Sequence, residues 1–527
     1  MRTKRIFLLY VFFLIMLNGL ILRLWWLTND PSLAQAAAKQ QSCTLTLARQ
    51  RPDFFDRNGQ PLTGAGQRTL AILFPAETAS WNAAPYLDEA GKQLLRSGMA
   101  GDMPFAVELC ETPPQWALLE TVTLRTRLSQ SSLLTHLIGY TDSEGKGVCG
   151  LERVFDSYLS DNSAAVQLRM TVDALGRPTE DADAQLLQPE QQAGITLTVD
   201  SAVQQAAENA ADAHMQRGAV VVLDAASGDI LAWVSRPNYD RLNVAAELSR
   251  TDGALLDRVD LAYPAGSVYK IVVAAAALEA GMDIAAYECT GSTEVDGMRF
   301  QCNNAAAHGL LSMETALMCS CNCYFIELGQ QLGAQPILAA AKGLGLGSGA
   351  LLCEGFAAEA GNLPTAQQLS QKGQLALHCF GQGQLLVTPL QVAAMTRAVA
   401  MQGCYTPPRL ILGVGEQAMA EHETVQALQS ETAKQLAAYL TRVVEEGTGR
   451  AGAPQAVSAA AKTGTAQTGQ YDAAGRETLI GWYTGFFPAE APQYIVTVMM
   501  EGVTYGSADA GPVFAAVADA LTAAQTP

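Results

Sequence analysis

Positive charge is what this chain most lacks. Its 527 residues carry 33 Lys and Arg against 51 Asp and Glu, a net charge of −18, and no basic stretch follows the first few residues. Phosphate backbones are bound by clustered Lys and Arg, so nucleic acid is excluded as a partner. Charge of either sign is sparse at 16% of residues, whereas the 49% that are hydrophobic can fill a sizeable core. The chain has neither a low-complexity linker nor an internal repeat. It is nonetheless too long for one ordinary domain, so two or three are expected. Its cysteine count, eleven, is odd, so at least one thiol is unpaired within the chain.

The one long apolar run stands at the start, in "MRTKRIFLLYVFFLIMLNGLILRLWWL". Arg2, Lys4 and Arg5 precede a stretch from Ile6 to Leu22 that only Asn18 interrupts. About 20 apolar residues cross a bilayer, so the run suffices if Arg23 snorkels and Trp25 and Trp26 sit at the interface. The basic flank keeps residues 1–5 in the cytoplasm, 6–28 form a single-pass anchor, and everything beyond lies outside. The competing reading is a cleaved signal peptide with "AQA" (34–36) as its processing site, which the length of the run disfavours.

Residues 29–190 mix short strand-like runs with polar turns and form a first module of mixed α/β character. The texture changes near residue 190, and 191–527 make a second domain. There "GITLTVD" (194–200) alternates like a strand and Ser201 to His214 reads as a helix. "GAVVVLDAASGDILAWVS" (218–235) reads as two apolar strands about a turn, 265 to about 445 is mainly helical, and 481–488 and 493–502 are two more strands before a last helix. That helix leaves no room before Pro527 for an appended domain. Strands at both ends of a segment with helices between them predict an α+β fold, one antiparallel sheet built from sequence-distant hairpins and flanked by helices.

Chemistry concentrates at three places. "YPAGSVYKIVVAAAALEAG" (263–281) puts Ser267 at the start of an apolar helix and Lys270 one turn on, sharing a face. A hydroxyl beside an amine is a nucleophile–base pair when the amine is neutral, and burial with a second cation nearby would make it so. "SEGK" (143–146) has the same spacing but lies in a Gly-rich loop with no apolar helix behind it. The second place is "CSCNC" (319–323), where Ser320 and Asn322 sit between cysteines. "SWN" (80–82) and "SDN" (160–162) share its pattern, but both precede Ser267. The third is "AAAKTGTAQTG" (459–469), with Lys462, Thr463, Gly464 and Thr465 at the start of a prospective edge strand.

Ser-x-x-Lys, Ser-x-Asn and Lys-Thr-Gly in this order are the motif set of penicillin-binding proteins and class A β-lactamases. The chain resembles a class B penicillin-binding protein over almost its full length. The resemblance runs through "RPDFFDRNGQPL" (51–62), "GKGVCGLERVFDSYL" (145–159), "VVVLDAASGDILAWVSRPNYD" (220–240) and "GQGQLLVTPLQVAAM" (381–395). Pro52 and Ala461 stand where the family often has Gly. No transglycosylase-like segment precedes residue 190, unlike the bifunctional class A members.

The resemblance implies a penicillin-binding transpeptidase fold behind a membrane-proximal pedestal, and a peptidoglycan D,D-transpeptidase acting on stem peptides that end in D-Ala-D-Ala. Ser267 would be the nucleophile, Lys270 its base, Ser320 a proton relay and Asn322 a ligand for the substrate amide. Lys462, Thr463 and Thr465 would hold the terminal carboxylate, with the amides of Ser267 and Thr465 as the oxyanion hole. β-Lactams would acylate Ser267, and a membrane lipid II polymerase of the shape, elongation, division and sporulation family would be a partner. A β-lactamase would need a deacylating base, and no Glu-x-x-Leu-Asn segment follows Asn322. A D,D-carboxypeptidase lacks such a long anchored module, and a β-lactam sensor or non-catalytic scaffold remains the alternative outside catalysis. No cofactor is implied. A zinc site wants four ligands, commonly as C-x2–4-C pairs, and the nearest His to Cys319, Cys321 and Cys323 is His308, so no metal is expected. Those three read as small residues packed around a catalytic loop, and Cys289 and Cys302, flanking a hairpin about Asp296-Gly297, are candidates for a disulfide.

Overall fold

A computed structural model describes residues 2–33, 42–75, 77–114, 119–128, 133–172, 184–188, 194–472, 474–504 and 506–525. The "AQA" segment and the boundary expected near residue 190 lie outside these residues. The chain opens on helix α1 (Arg2–Asn29), which is long and apolar enough over Thr3–Asn29 to cross a membrane, its 18-residue apolar window having a mean hydropathy of 2.3. Asn18, the polar interruption, returns its Nδ2 to the Leu14 carbonyl at 2.9 Å, so the helix itself satisfies it.

The chain divides into two units. The smaller comprises Met1–Arg51, Gly66–Arg127 and Asn162–Gln192; the larger comprises Pro52–Ala65, Leu128–Asp161 and Ala193–Pro527. In the smaller unit Gly66–Leu73 pairs antiparallel with Phe105–Leu109 on one side and Glu120–Thr126 on the other. Helix Glu89–Gly98 covers that sheet through Leu95, which joins Ala71, Leu73 and Val107 in one buried cluster. A second sheet joins Ser42–Gln50, Ala164–Thr171 and Gln185–Leu187.

The larger unit is built on a five-stranded antiparallel sheet. Its strands are β1 (Gly218–Asp224), β2 (Ile230–Arg236), β3 (Ala460–Tyr471), β4 (Glu477–Phe487) and β5 (Tyr494–Val503), in the spatial order β2-β1-β5-β4-β3. Strand side chains alternate between faces. On β1, Ala219, Val221 and Leu223 belong to the main core, while Val220 and Val222 belong to a second core on the opposite face. The unbroken apolar run of this strand thus reflects burial on both sides. The second core is closed by helix α2 (Ser201–His214) and the C-terminal helix (Gly506–Gln525), whose Phe514 stacks on Tyr483 of β4 with centroids 4.7 Å apart. The main core is filled from the helices between β2 and β3, among them α3 (Lys270–Glu279), which is buried from Lys270 through Ala277. The α+β arrangement expected from the hairpin pattern is the one observed.

The expected split at 190/191 does not coincide with this division: 52–65 and 128–161, read as part of the pedestal, cluster with the larger unit. Phe54–Phe55 pairs in parallel with Ile195–Leu197, and Phe54, Leu134, Leu137, Ile138, Leu151 and Leu159 are buried in the main core. Each such side chain contributes about 1.5–3 kcal/mol on burial, so together they supply on the order of 10 kcal/mol, comparable with the whole stability of a domain. A chain started at residue 191 is therefore expected to be insoluble or molten, whereas one started at residue 42 folds. Near-ultraviolet circular dichroism of the two fragments checks this, and a native spectrum from the shorter one would contradict it.

Candidate active site

Ser267 lies in a 3-10 turn, Gly266–Tyr269, that runs directly into α3. The turn sits against the edge strand β3, and two glycines permit the approach. Gly266 adopts φ +56°, and a Cβ there would lie 2.9 Å from the Thr465 carbonyl oxygen and 3.0 Å from Ala466 Cβ. On β3, a Cβ at Gly464 would come within 3.2 Å of Val268 Cγ1 and 3.3 Å of Val268 N. The helix start and the edge strand are as close as backbones without side chains allow. Ser267 is half-buried, and its hydroxyl makes no hydrogen bond among the described residues.

One turn on, Lys270 is fully buried, and its Nζ donates to the Ser320 carbonyl at 2.6 Å, to Ser320 Oγ at 3.2 Å and to Asn322 Oδ1 at 2.7 Å. Lys462, equally buried on β3, donates from Nζ to the same Ser320 Oγ at 3.0 Å and to the Thr463 carbonyl at 2.8 Å. One hydroxyl thus bridges two lysines drawn from elements far apart in sequence. Burial pushes the Lys270 ammonium down to about 8, opposed by the cysteines beside it. Burial, and then the charge of Lys270, holds Lys462 well below the usual lysine range. Two full cations sharing one buried oxygen repel each other, so the pair sheds a proton more readily than either lysine alone.

Ser320 occupies the connection between helix α4 (Met313–Met318) and helix α5 (Asn322–Leu332), in the left-handed region at φ +55°. A non-glycine residue held there is strained by about 1 kcal/mol or more. The flanks hold it in place. Ser312 closes a capping box on α4, and Cys321 N-caps α5 by accepting from the Tyr324 amide at 3.4 Å. Asn322 donates Nδ2 to the Gln301 carbonyl at 2.9 Å, which turns its Oδ1 towards Lys270.

The structure therefore gathers Lys270, Ser320, Asn322 and Lys462 into one hydrogen-bonded group and sets Ser267 beside it. The remaining residues of the third motif are partnered separately. Thr463 Oγ1 pairs with Thr448 Oγ1 at 2.8 Å, and Thr465 Oγ1 accepts from the Gly506 amide at 3.1 Å. Thr448, the Gln301 carbonyl and the Gly506 amide escaped the sequence reading because they act through single long-range contacts with no local pattern.

One expectation about cysteine needs correction, the candidate disulfide between Cys289 and Cys302. All eleven thiols are free, and the Sγ atoms of Cys289 and Cys302 stand 3.7 Å apart, well beyond the ~2.05 Å of a disulfide. Spacing along the chain predicts no metal site, while folding brings the ligand atoms of Cys289, Cys302, His308 and Cys321 within 4.8 Å of one another. Of the three cysteines of 319–323, Cys321 and Cys323 are buried as expected and Cys319 is half-buried.

Residues 218–519 match the family described as "Penicillin binding protein transpeptidase domain". Stage V sporulation protein D of Bacillus subtilis is 31% identical over 407 residues, which make up 72% of this chain and 61% of that protein. The chain thus spans less than two thirds of the length of this relative. The peptidoglycan D,D-transpeptidase PbpA of Mycolicibacterium smegmatis is 30% identical over 417 residues, 72% of this chain and 80% of its own length. Among solved structures, a chain from a peptidoglycan synthase complex that coordinates polymerization and crosslinking superposes with a TM-score of 0.71 at 24% identity, covering 98% of each chain. That likeness shows the shared fold. The family match takes in the five-stranded sheet and every residue of the three motifs, and the chain belongs to the penicillin-binding protein transpeptidases, among their class B members.

Proposed function

We propose that the chain is a membrane-anchored peptidoglycan D,D-transpeptidase in which Ser267 forms an acyl-enzyme with stem peptides ending in D-Ala-D-Ala. The observation that carries this reading is the pair of buried lysines sharing Ser320 Oγ beside the Ser267 turn.

The chemistry follows from the charges. Ser267 can attack the carbonyl between the two D-alanines only if its proton has an acceptor, and Lys270 serves when neutral. In the resting site both lysines are pushed down, Lys462 by burial and by Lys270. A substrate carboxylate arriving beside Lys462 favours the protonated form there, and the restored cation in turn disfavours charge on Lys270. Binding the correct terminus thereby readies the base. Ser320 Oγ, in contact with both amines, offers the route by which the proton reaches the departing D-alanine amine. Asn322 holds the substrate amide. The exposed side of β3 accepts the peptide as an added strand, with Thr463 and Thr465 adding hydroxyl donors to its carboxylate and the Ser267 and Thr465 amides receiving the oxyanion. An amine of a neighbouring stem peptide then takes the acyl group, forming the cross-link and freeing Ser267. A β-lactam follows the first half of this path and remains on Ser267.

Helix α1 is read as a single-pass anchor in the cell membrane with Arg2, Lys4 and Arg5 on the cytoplasmic side. Residues 29–190 are read as the pedestal, and the transpeptidase portion faces outwards. A membrane lipid II polymerase is the partner this reading calls for, since a cross-linking enzyme consumes nascent glycan; the synthase complex with the same fold supports it.

Two measurements test the reading. Fluorescent penicillin should label the full-length chain in detergent, and Ser267→Ala should reduce labelling by more than about a thousandfold. Labelling that survives the substitution would mean that another nucleophile acts. Because only neutral Lys270 accepts the proton and its value lies near 8, the acylation rate should climb about tenfold per pH unit below that value and level off above it. A rate flat from about pH 6 to pH 9 would exclude Lys270 as the base.

A further inference from the structure

Beside the catalytic group lies a cluster that the transpeptidase chemistry does not use. Cys289 ends the strand Tyr287–Cys289, and His308 immediately precedes the strand Gly309–Leu311 that pairs with it. Cys302 follows the hairpin strand Met298–Gln301, and Cys321 caps α5. Cys289 Sγ lies 3.4 Å from His308 Nδ1 and 3.7 Å from Cys302 Sγ, and Cys302 Sγ lies 3.6 Å from Cys321 Sγ. Zinc bound tetrahedrally with Zn–S about 2.3 Å and Zn–N about 2.05 Å separates its sulfurs by about 3.8 Å, and a sulfur from a nitrogen by about 3.5 Å. The three distances match that geometry. The three sulfurs are buried, so a metal there would be shielded from water, and His308 is half-buried.

We infer that Cys289, Cys302, His308 and Cys321 form a structural zinc site that clamps the Ser-x-Asn loop to the neighbouring hairpin. Three thiolates and one neutral imidazole complete the coordination, so the ion serves structure and leaves no position for substrate. Binding releases the three thiol protons to solvent and leaves the sulfur oxidation state unchanged. The clamp acts where the catalytic residues are least secure. Cys321 stands between Ser320, held in a left-handed conformation, and Asn322, and Cys302 directly follows Gln301, whose carbonyl anchors Asn322. One ion thus ties both ends of the Asn322–Gln301 hydrogen bond and keeps Ser320 Oγ between the lysines. Cys323, 3.4 Å from Cys302, is packed against the cluster without completing it.

The existence of the site is independent of the proposed reaction; only its effect on acylation rests on that reading. The test is metal analysis of the full-length chain purified in detergent with reductant and no chelator. About one zinc per chain is expected, lost in Cys302→Ser and His308→Ala and retained in Cys404→Ser, which lies outside the cluster. Should the variants fail to fold, stripped wild type titrated with cobalt(II) should develop sulfur-to-cobalt charge-transfer absorption. Stripping should slow penicillin labelling at least about tenfold, with zinc restoring it. The site is overturned if reduced wild type supplied with zinc holds none, if folded variants hold as much as the parent, or if thiol mapping finds a Cys302–Cys321 disulfide in its place. Labelling indifferent to stripping overturns the clamp. If nothing labels at all, the transpeptidase reading fails and the metal count still decides the site.

Discussion

The site depends on one hydroxyl held between two buried amines. Ser320 Oγ lies 3.2 Å from Lys270 Nζ and 3.0 Å from Lys462 Nζ, and neither lysine could be fully desolvated without such a partner. Lys270 also takes the Ser320 carbonyl and Asn322 Oδ1, and Lys462 takes the Thr463 carbonyl. The strained backbone at Ser320 is the counterpart of this: a relaxed conformation would turn carbonyl and hydroxyl to other directions.

Holding that geometry requires a helix start, an interhelical turn and a sheet edge to meet within a few ångströms. The sheet supplies the rigid side. Helices cover both its faces, so its inner strands are locked, while β3 stands at the edge with no strand paired on its outer side among the described residues. An unpaired edge is ordinarily an aggregation liability. In this protein it lies beside the Ser267 turn, where the proposed reaction needs an extended substrate to complete the ladder.

Much of this was legible in the sequence, for reasons particular residues make clear. The double-sided burial of Val220 to Leu223 left an unbroken apolar strand, and the Ala-rich stretch from Ser201 to His214 forms the helix expected of it. Ser-x-x-Lys spacing alone could not separate Ser267 from the loop serine of "SEGK"; the buried helix behind it did. What stayed hidden was contact between segments remote in the chain. A two-residue strand at Phe54–Phe55 carries no periodicity, so the passage of 52–65 and 128–161 into the larger unit left no local sign. Four ligands from separate segments do not spell a spacing motif either, and counting neighbours along the chain missed His308 beside Cys289.

The strand order has a consequence for how the protein is made. β5, the last of these five strands to leave the ribosome, is the middle strand of the sheet, between β1 and β4. The hairpin of β1 and β2 is synthesised early but lacks a neighbour on the β1 side until nearly the whole chain has been extruded. Pairings this distant close slowly and leave apolar strands uncovered while they wait. If α1 is already in the bilayer during that interval, tethering each chain apart from its neighbours is a service the membrane renders to folding before it renders any to catalysis.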